Sequence, residues 1–471
     1  MGAEDLSLDQ AGAGSPLPGS PLLTSSGPYR LVILGGDMAG MVAAQEAARR
    51  RVRVALVLPA AADATPPKSS ELAEQFRLLQ ARMGILPPQN PPDHPLIDVY
   101  PGRPRFLSCD ALEVGGRVIR FRKAVIATGG LPAAAEVAGA EGCDCLTPET
   151  LHSLTELPPR LAVIGCGPAA CEWAQAFRRL GSQVHLLARQ PALLPDEDPE
   201  SAAAIQLQLE QDNIRLYLGC AEMAIETTGN LRGVLFIQEG GKRKLLVERV
   251  LLCGPRGPNL AGLNLESAGV ACTDRGIVVN DRLQTTQRPI FAAGEVCGSR
   301  FAAPQAAAAT ARLAVRNALC LIRRRLSRLV IPRCIHTEPQ VVQIGLTRRE
   351  AARLQGEVET FRIELSAADR SLAERRCRGF LALHAAARTG RLLGATVVAA
   401  DADELIYPLS LLLARRWSAA ALAEVIPCHP SRCELLQRLA EQVAAAHPLR
   451  WQRWWSALCR RRISSSSQRD V

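Results

Sequence analysis

Two groups of residues in this 471-residue chain have types and spacing suited to chemistry. The first is Gly165-Cys166-Gly167-Pro168-Ala169-Ala170. Gly165 permits a tight turn. Gly167 has no Cβ, so backbone can close on a pyrophosphate, and Ala170 is small enough for a helix to pack on the strand before it. The N–H groups at the helix start then face the phosphates. The second group is His429-Pro430-Ser431-Arg432-Cys433-Glu434. A histidine near neutral pKa can shuttle a proton, and a carboxylate nearby can orient it and raise its pKa. Equally, the pair can serve as a hydrogen bond at an interface. Cys428 and Cys433 flank it, and a thiol beside an imidazole can be reactive. Inert, buried thiols are the plainer reading.

These residues need elements to hold them. An apolar strand from Leu161 feeds the first turn. An amphipathic helix follows (Trp173, Phe177, Leu180), then a second strand, Gln183 to Leu187. The position after that strand normally carries an acid for the NAD ribose. Here it is Ala188, followed by Arg189, so no carboxylate repels a 2′-phosphate and NADPH is favoured, with NADH the alternative. A worn copy of the same unit comes earlier, at Gly35-Gly36-Asp37-Met38-Ala39-Gly40, with a helix expected from about Met41 to Arg50 and a strand from Val52 to Leu58. Its middle glycine is Asp37. A carboxylate about 4 Å from a pyrophosphate is unfavourable by on the order of 4 kcal/mol at an effective dielectric near 20. Asp37 can instead cap the helix and place its own charge on the N-terminal dipole.

Elsewhere, Ala111 to Arg120 reads as a hairpin turning at Gly115-Gly116. A buried strand ends in Ala127-Thr128-Gly129, and another short strand ends in Gly294-Glu295. An amphipathic helix is expected from about Ser69 to Met83, and an alanine-rich one runs to about Arg325. From about 330 to 440, strands (Val341 to Ile344, Gly379 to Leu383, Gly394 to Ala399) alternate with helices. The fold class is therefore α/β with a C-terminal α+β part.

The net charge is +10, but no basic stripe with interleaved aromatics forms, so nucleic acid is not the default partner. Fifteen scattered cysteines suit a reducing cytoplasm. Residues 1–28, rich in Ser, Pro and Gly, lack the blocks of a signal peptide and are expected to be disordered. No uncharged apolar run is long enough for a transmembrane helix. In the tail, Trp451, Trp454, Trp455 and Leu458 share one helical face among arginines. Such a helix can touch an anionic membrane surface, or its tryptophans can pack on the chain's own domain.

Taken in order, these pieces resemble the flavin-dependent pyridine nucleotide–disulfide oxidoreductases, particularly the mercuric reductase and dihydrolipoamide dehydrogenase branch. The resemblance covers about residues 29–440. It rests on Ala127-Thr128-Gly129, Leu161 to Glu172, Leu193 to Glu200, Ala292 to Cys297, Gly345-Leu346-Thr347 and His429 to Glu434. It implies two Rossmann-like units, one for FAD (29–158 with 288–325) and one for NAD(P) (159–287), a dimerisation domain (326–440) and a tail (441–471). It also implies a homodimer in which His429 and Glu434 of one subunit complete the site of the other. Gly35, Gly36, Gly40, Ala127, Thr128, Gly129, Gly294 and Glu295 would then hold FAD. Gly165, Gly167, Pro168, Ala170 and Arg189 would hold NADPH, and hydride would reach the flavin near Glu172.

The departures are as informative. The family passes electrons through a pair of cysteines on the helix after the second FAD strand. This chain has no cysteine between Met1 and Ser108, so that relay cannot run. Leu58 replaces the acid that binds the adenosine ribose, and Lys68 is a possible match to the lysine that pairs with Glu172. Two readings follow. One is an FAD-dependent NAD(P)H oxidoreductase passing electrons straight to a small acceptor. The other is a non-catalytic or regulatory nucleotide-binding relative that has lost flavin. No metal ligand set is expected.

Overall fold

The computed structural model describes residues 27–59, 93–132, 137–151 and 154–447, together with 75, 78 and 79. The expected helix around 69–83 and the tryptophan-bearing tail lie outside the described residues.

The chain opens with strand β1 (Leu31–Leu34), helix α1 (Met38–Arg49), β2 (Val54–Leu58) and β3 (Ile97–Pro101). An antiparallel trio follows, β4 (Pro104–Ser108), β5 (Ala111–Val114) and β6 (Arg117–Arg120). The turn between its last two strands is Gly115-Gly116, both at positive φ, as an Asn/Gly-type hairpin turn requires. Next come β7 (Ala124–Ile126) and β8 (Gly130–Pro132). The second nucleotide-type unit is β9 (Arg160–Ile164), α2 (Pro168–Leu180), β10 (Gln183–Leu187), α3 (Pro199–Gln211) and β11 (Arg215–Tyr217). An antiparallel meander of β12 (Ala221–Thr228), β13 (Leu231–Gln238) and β14 (Gly241–Val247) precedes β15 (Arg249–Leu252) and β16 (Arg256–Pro258). The chain then makes a two-residue pair, β17 (Cys272–Thr273) with β18 (Gly276–Ile277), before β19 (Ile290–Ala292) and helix α4 (Pro304–Leu319).

Two parallel sheets result. One has the order β19-β7-β1-β2-β3, the other β11-β10-β9-β15. Their central strands are apolar and fully buried, as parallel sheets covered on both faces demand: Leu31 to Leu34 and Leu161 to Val163 are 0% exposed. The C-terminal part is β20 (Arg333–Ile335), β21 (Gln340–Gly345), α5 (Arg348–Gln355), β22 (Val358–Glu364), α6 (Asp369–Ala373), β23 (Phe380–Ala386), β24 (Leu392–Ala399), α7 (Ala402–Arg415) and α8 (Cys433–Ala446). Its antiparallel sheet runs β20-β21-β24-β23-β22.

Two helix ends and one set of strands differ from the sequence reading. Helix α1 starts at Met38, not Met41, because Asp37 caps it. The alanine-rich helix ends at Leu319, not Arg325. Asn317 turns the chain there: its side-chain amide donates to the carbonyls of Arg282 and Arg324 and its oxygen accepts from the Arg324 N–H. The β12–β14 meander was not expected at all.

Candidate functional site

Both glycine turns sit where a parallel strand runs into a helix, and their geometry can be compared atom by atom. At the second turn, Gly165 lies at φ +155°, and a Cβ there would collide with the Cys253 carbonyl at the end of β15. Gly167 is the N-cap of α2, with φ −85° and ψ −178°. Nothing stands within 4 Å of where its Cβ would be, and no side chain caps the helix. Pro168 opens the helix, where a missing N–H and a preset φ are no penalty. Ala170 is fully buried against Gly165. The first-turn N–H groups of α2 therefore have room before them and no internal acceptor from the cap. Ala188 is buried, and Arg189 is exposed just beyond β10. These residues fit a dinucleotide pyrophosphate.

At the first turn, Gly35 lies at φ +135°, and a Cβ would collide with the Ala127 carbonyl. Gly40 is packed just as closely on the backbone of Gly35. The glycines are thus needed for strand–helix packing whether or not a ligand binds. The N-cap is Asp37, at φ −86° and ψ −173°. Its Oδ1 accepts from the Gly40 N–H at 3.3 Å. Its Oδ2 lies 2.5 Å from where a Cβ of Gly129 would stand. The packing around it raises the Asp37 carboxyl above the usual range, and the charge of Glu295 adds to the rise.

The Ala127-Thr128-Gly129 turn is tied down by Asn259. Thr128 Oγ1 donates to the Asn259 carbonyl at 2.6 Å, and the Asn259 amide returns a bond to the Thr128 carbonyl at 3.2 Å. Gly294 packs on Ala39 of α1 and donates its N–H to buried Thr310. Gly36 stands against Leu58 and Pro59. Glu295 is buried beside Gly130 and is held by Arg256 at 2.8 Å; Arg256 also binds the Gly130 carbonyl and Glu149. A carboxylate that caps the helix start and an apolar Leu58 at the end of β2 do not fit the pyrophosphate and adenosine ribose of FAD.

Glu172, on the second turn of α2, is 8% exposed. Its Oε1 accepts the His336 backbone N–H at 2.7 Å. Burial pushes its carboxyl up to about 7. Around it lie the thiols of Cys171, Cys253 and Cys334, all raised by burial, with Cys334 Sγ 3.4 Å from His336 Nδ1. Lys68 lies outside the described residues.

His429 and Glu434 are brought together: Nδ1 to Oε1 is 3.2 Å, with His429 70% exposed. The Ser431 N–H donates to the same carboxylate at 2.8 Å, and this bond, with His429, holds Glu434 below the usual carboxylate range. Cys428 and Cys433 are exposed free thiols. The sequence reading missed Arg256, Asn259, Thr310 and His336. Only the Gly/Pro-rich run Gly254 to Asn259 carried a hint, since such loops place polar groups at sites. Among the described residues no group of His, Cys, Asp or Glu could hold a metal ion, and no helix is long and apolar enough to cross a membrane.

Comparison with known proteins gives this geometry its setting. A family model for pyridine nucleotide-disulphide oxidoreductases matches residues 29–312, and the model for the family's dimerisation domain matches residues 331–440. A mercuric reductase from Bacillus cereus is 36% identical over 323 residues, covering 67% of this chain and 51% of that protein. A dihydrolipoyl dehydrogenase from Bacillus subtilis (strain 168) is 29% identical over 350 residues, covering 72% and 74%. The HOCl-induced flavoprotein disulfide reductase RclA from Escherichia coli superposes with a TM-score of 0.75 at 25% identity, covering 88% of this chain and 99% of its own. This chain spans 51–57% of the length of the mercuric reductases from Bacillus cereus and Staphylococcus aureus.

Proposed function

This chain belongs to the pyridine nucleotide-disulphide oxidoreductase family, and from that premise we propose that it is an NAD(P)H-dependent oxidoreductase that uses no dithiol relay. The observation that carries the reading is the uncapped start of α2 behind the open Gly167. The helix N–H groups would bind the pyrophosphate, where an anion gains about 0.3–1 kcal/mol, up to ~2 when partly buried. Arg189 would bind the 2′-phosphate and favour NADPH over NADH.

A bound NADPH supplies a hydride. The chain's part is to orient it and exclude water. Glu172, buried on the same helix and poised near neutrality, would hold or release a proton beside the reacting end. The acceptor would be a small molecule able to take the hydride directly, such as a quinone or a dye. His429 and Glu434 would act across a homodimer, an arrangement that the match to the dimerisation domain supports. The compartment is proposed to be the cytoplasm. A flavin step is not included, because the first turn does not fit FAD. The opposing reading, a regulatory nucleotide sensor, shares the same cradle and is separated by turnover with dye acceptors.

Calorimetry with NADPH and NADH tests the proposal, using Gly167→Asp as the control. The position is extended and open, so the fold should persist while the new carboxylate caps α2. NADPH affinity should then fall at least about 10-fold. Wild-type protein that binds neither coenzyme would refute the reading.

A further inference from the structure

We infer that Asp37 fills the phosphate seat of the first glycine turn with the protein's own carboxylate, so that this chain takes up a pyridine nucleotide without holding FAD. The molecule carries both versions of the turn. The two helix starts have the same backbone: φ −86° and ψ −173° at Asp37, φ −85° and ψ −178° at Gly167. Both follow a glycine at large positive φ that ends a buried parallel strand. What differs is the side chain at the N-cap. At Gly167 the space is open. At Asp37 a carboxylate reaches from the Gly40 N–H on one side to Gly129 on the other. It thus spans the gap that a bridging phosphate would enter, and it accepts one of the N–H bonds that a phosphate would need.

The surroundings point the same way. Glu295 is a buried carboxylate whose charge reaches Asp37, itself exposed. The nearby cation, Arg256, already binds Glu295, Glu149 and the Gly130 carbonyl. Among the described residues no cation pairs with Asp37. At the ribose end, β2 finishes in Leu58, which offers a hydroxyl no acceptor. Each change is local, and the strand–helix packing is intact. The first unit therefore persists as a scaffold whose ligand position is satisfied internally. The pyridine-nucleotide half of the inference rests on the function proposed above.

The test uses the full chain as wild type, Asp37→Gly and Asp37→Asn. Each protein is incubated with excess FAD, desalted and measured for retained flavin by absorbance, with FAD affinity taken from fluorescence quenching. NADPH affinity is measured in parallel. Wild type should retain no flavin. Asp37→Gly should bind FAD tighter by on the order of 100-fold, and Asp37→Asn, which keeps a capping oxygen but no charge, should fall between. Wild type carrying stoichiometric FAD would overturn the inference. So would either variant that binds NADPH as wild type does yet gains no FAD. Should Asp37→Gly not fold, Asp37→Asn decides alone, because its cap is retained. Loss of NADPH binding with the expected flavin result would remove the nucleotide reading and leave the role of Asp37 standing.

Discussion

Glu172 combines near-complete burial with one backbone N–H as its described hydrogen-bond partner. Its folded-state pKa of about 7 lies above the ordinary 4.5, so between those values the folded chain binds more protons than the unfolded one. Its contribution is fully present below about pH 4.5 and is lost as pH rises through about 7. The loss approaches roughly 3 kcal/mol at 1.36 kcal/mol per unit. Glu172→Gln keeps an oxygen for the His336 N–H and cannot ionise. Urea unfolding should find it more stable than wild type above about pH 7.5, with the difference shrinking at about pH 5. An unchanged difference across that range would show that Glu172 does not titrate. Arg189 gives a second prediction. Arg189→Ala should lower NADPH affinity about 10-fold and leave NADH affinity unchanged, which calorimetry reads directly.

At the scale of elements, the two turns share a glycine that cannot be replaced. Gly165→Ala would put a Cβ against the Cys253 carbonyl at φ +155°, so it should destabilise the chain by at least about 2 kcal/mol in denaturant melts. Gly167→Asp should leave the midpoint nearly unchanged while weakening NADPH. The contrast separates backbone need from ligand need. Both turns were legible in the sequence because strand, glycine and helix lie within ten residues of each other. So was the hairpin at Gly115-Gly116. The His429–Glu434 contact was legible because both residues fall within one short loop and helix start. The partners of the buried carboxyls were not. Arg256 is 39 residues from Glu295, and His336 is 164 from Glu172. No local period reports such contacts. The β12–β14 meander did leave a signal, in Gly229-Asn230 and Gly240-Gly241, where Gly-bearing turns separate β-rich runs.

For the whole molecule, five of the sixteen large apolar side chains exposed among the described residues fall between 407 and 426: Tyr407, Leu411, Trp417, Val425 and Ile426, the last 90% exposed. Together with the match to the dimerisation domain, they mark the face expected between two copies of the chain. Ile426→Glu should therefore shift the protein from dimer to monomer in sedimentation velocity while leaving NADPH affinity unchanged. A variant that sediments as wild type would place the contact elsewhere.

Helix α2 also joins two parts of the molecule. Its first turn faces the open cradle. Farther along, Gln175 exchanges two hydrogen bonds with the backbone of Glu338, at 2.7 and 3.0 Å, and Glu172 holds the N–H of His336. Thirteen residues of α-helix make a rod about 20 Å long, clamped to the C-terminal sheet near its middle. Coenzyme arriving at the free tip would stiffen the rod and whatever is bolted to it. Deuterium uptake at amides 336–338 should slow when NADPH is added.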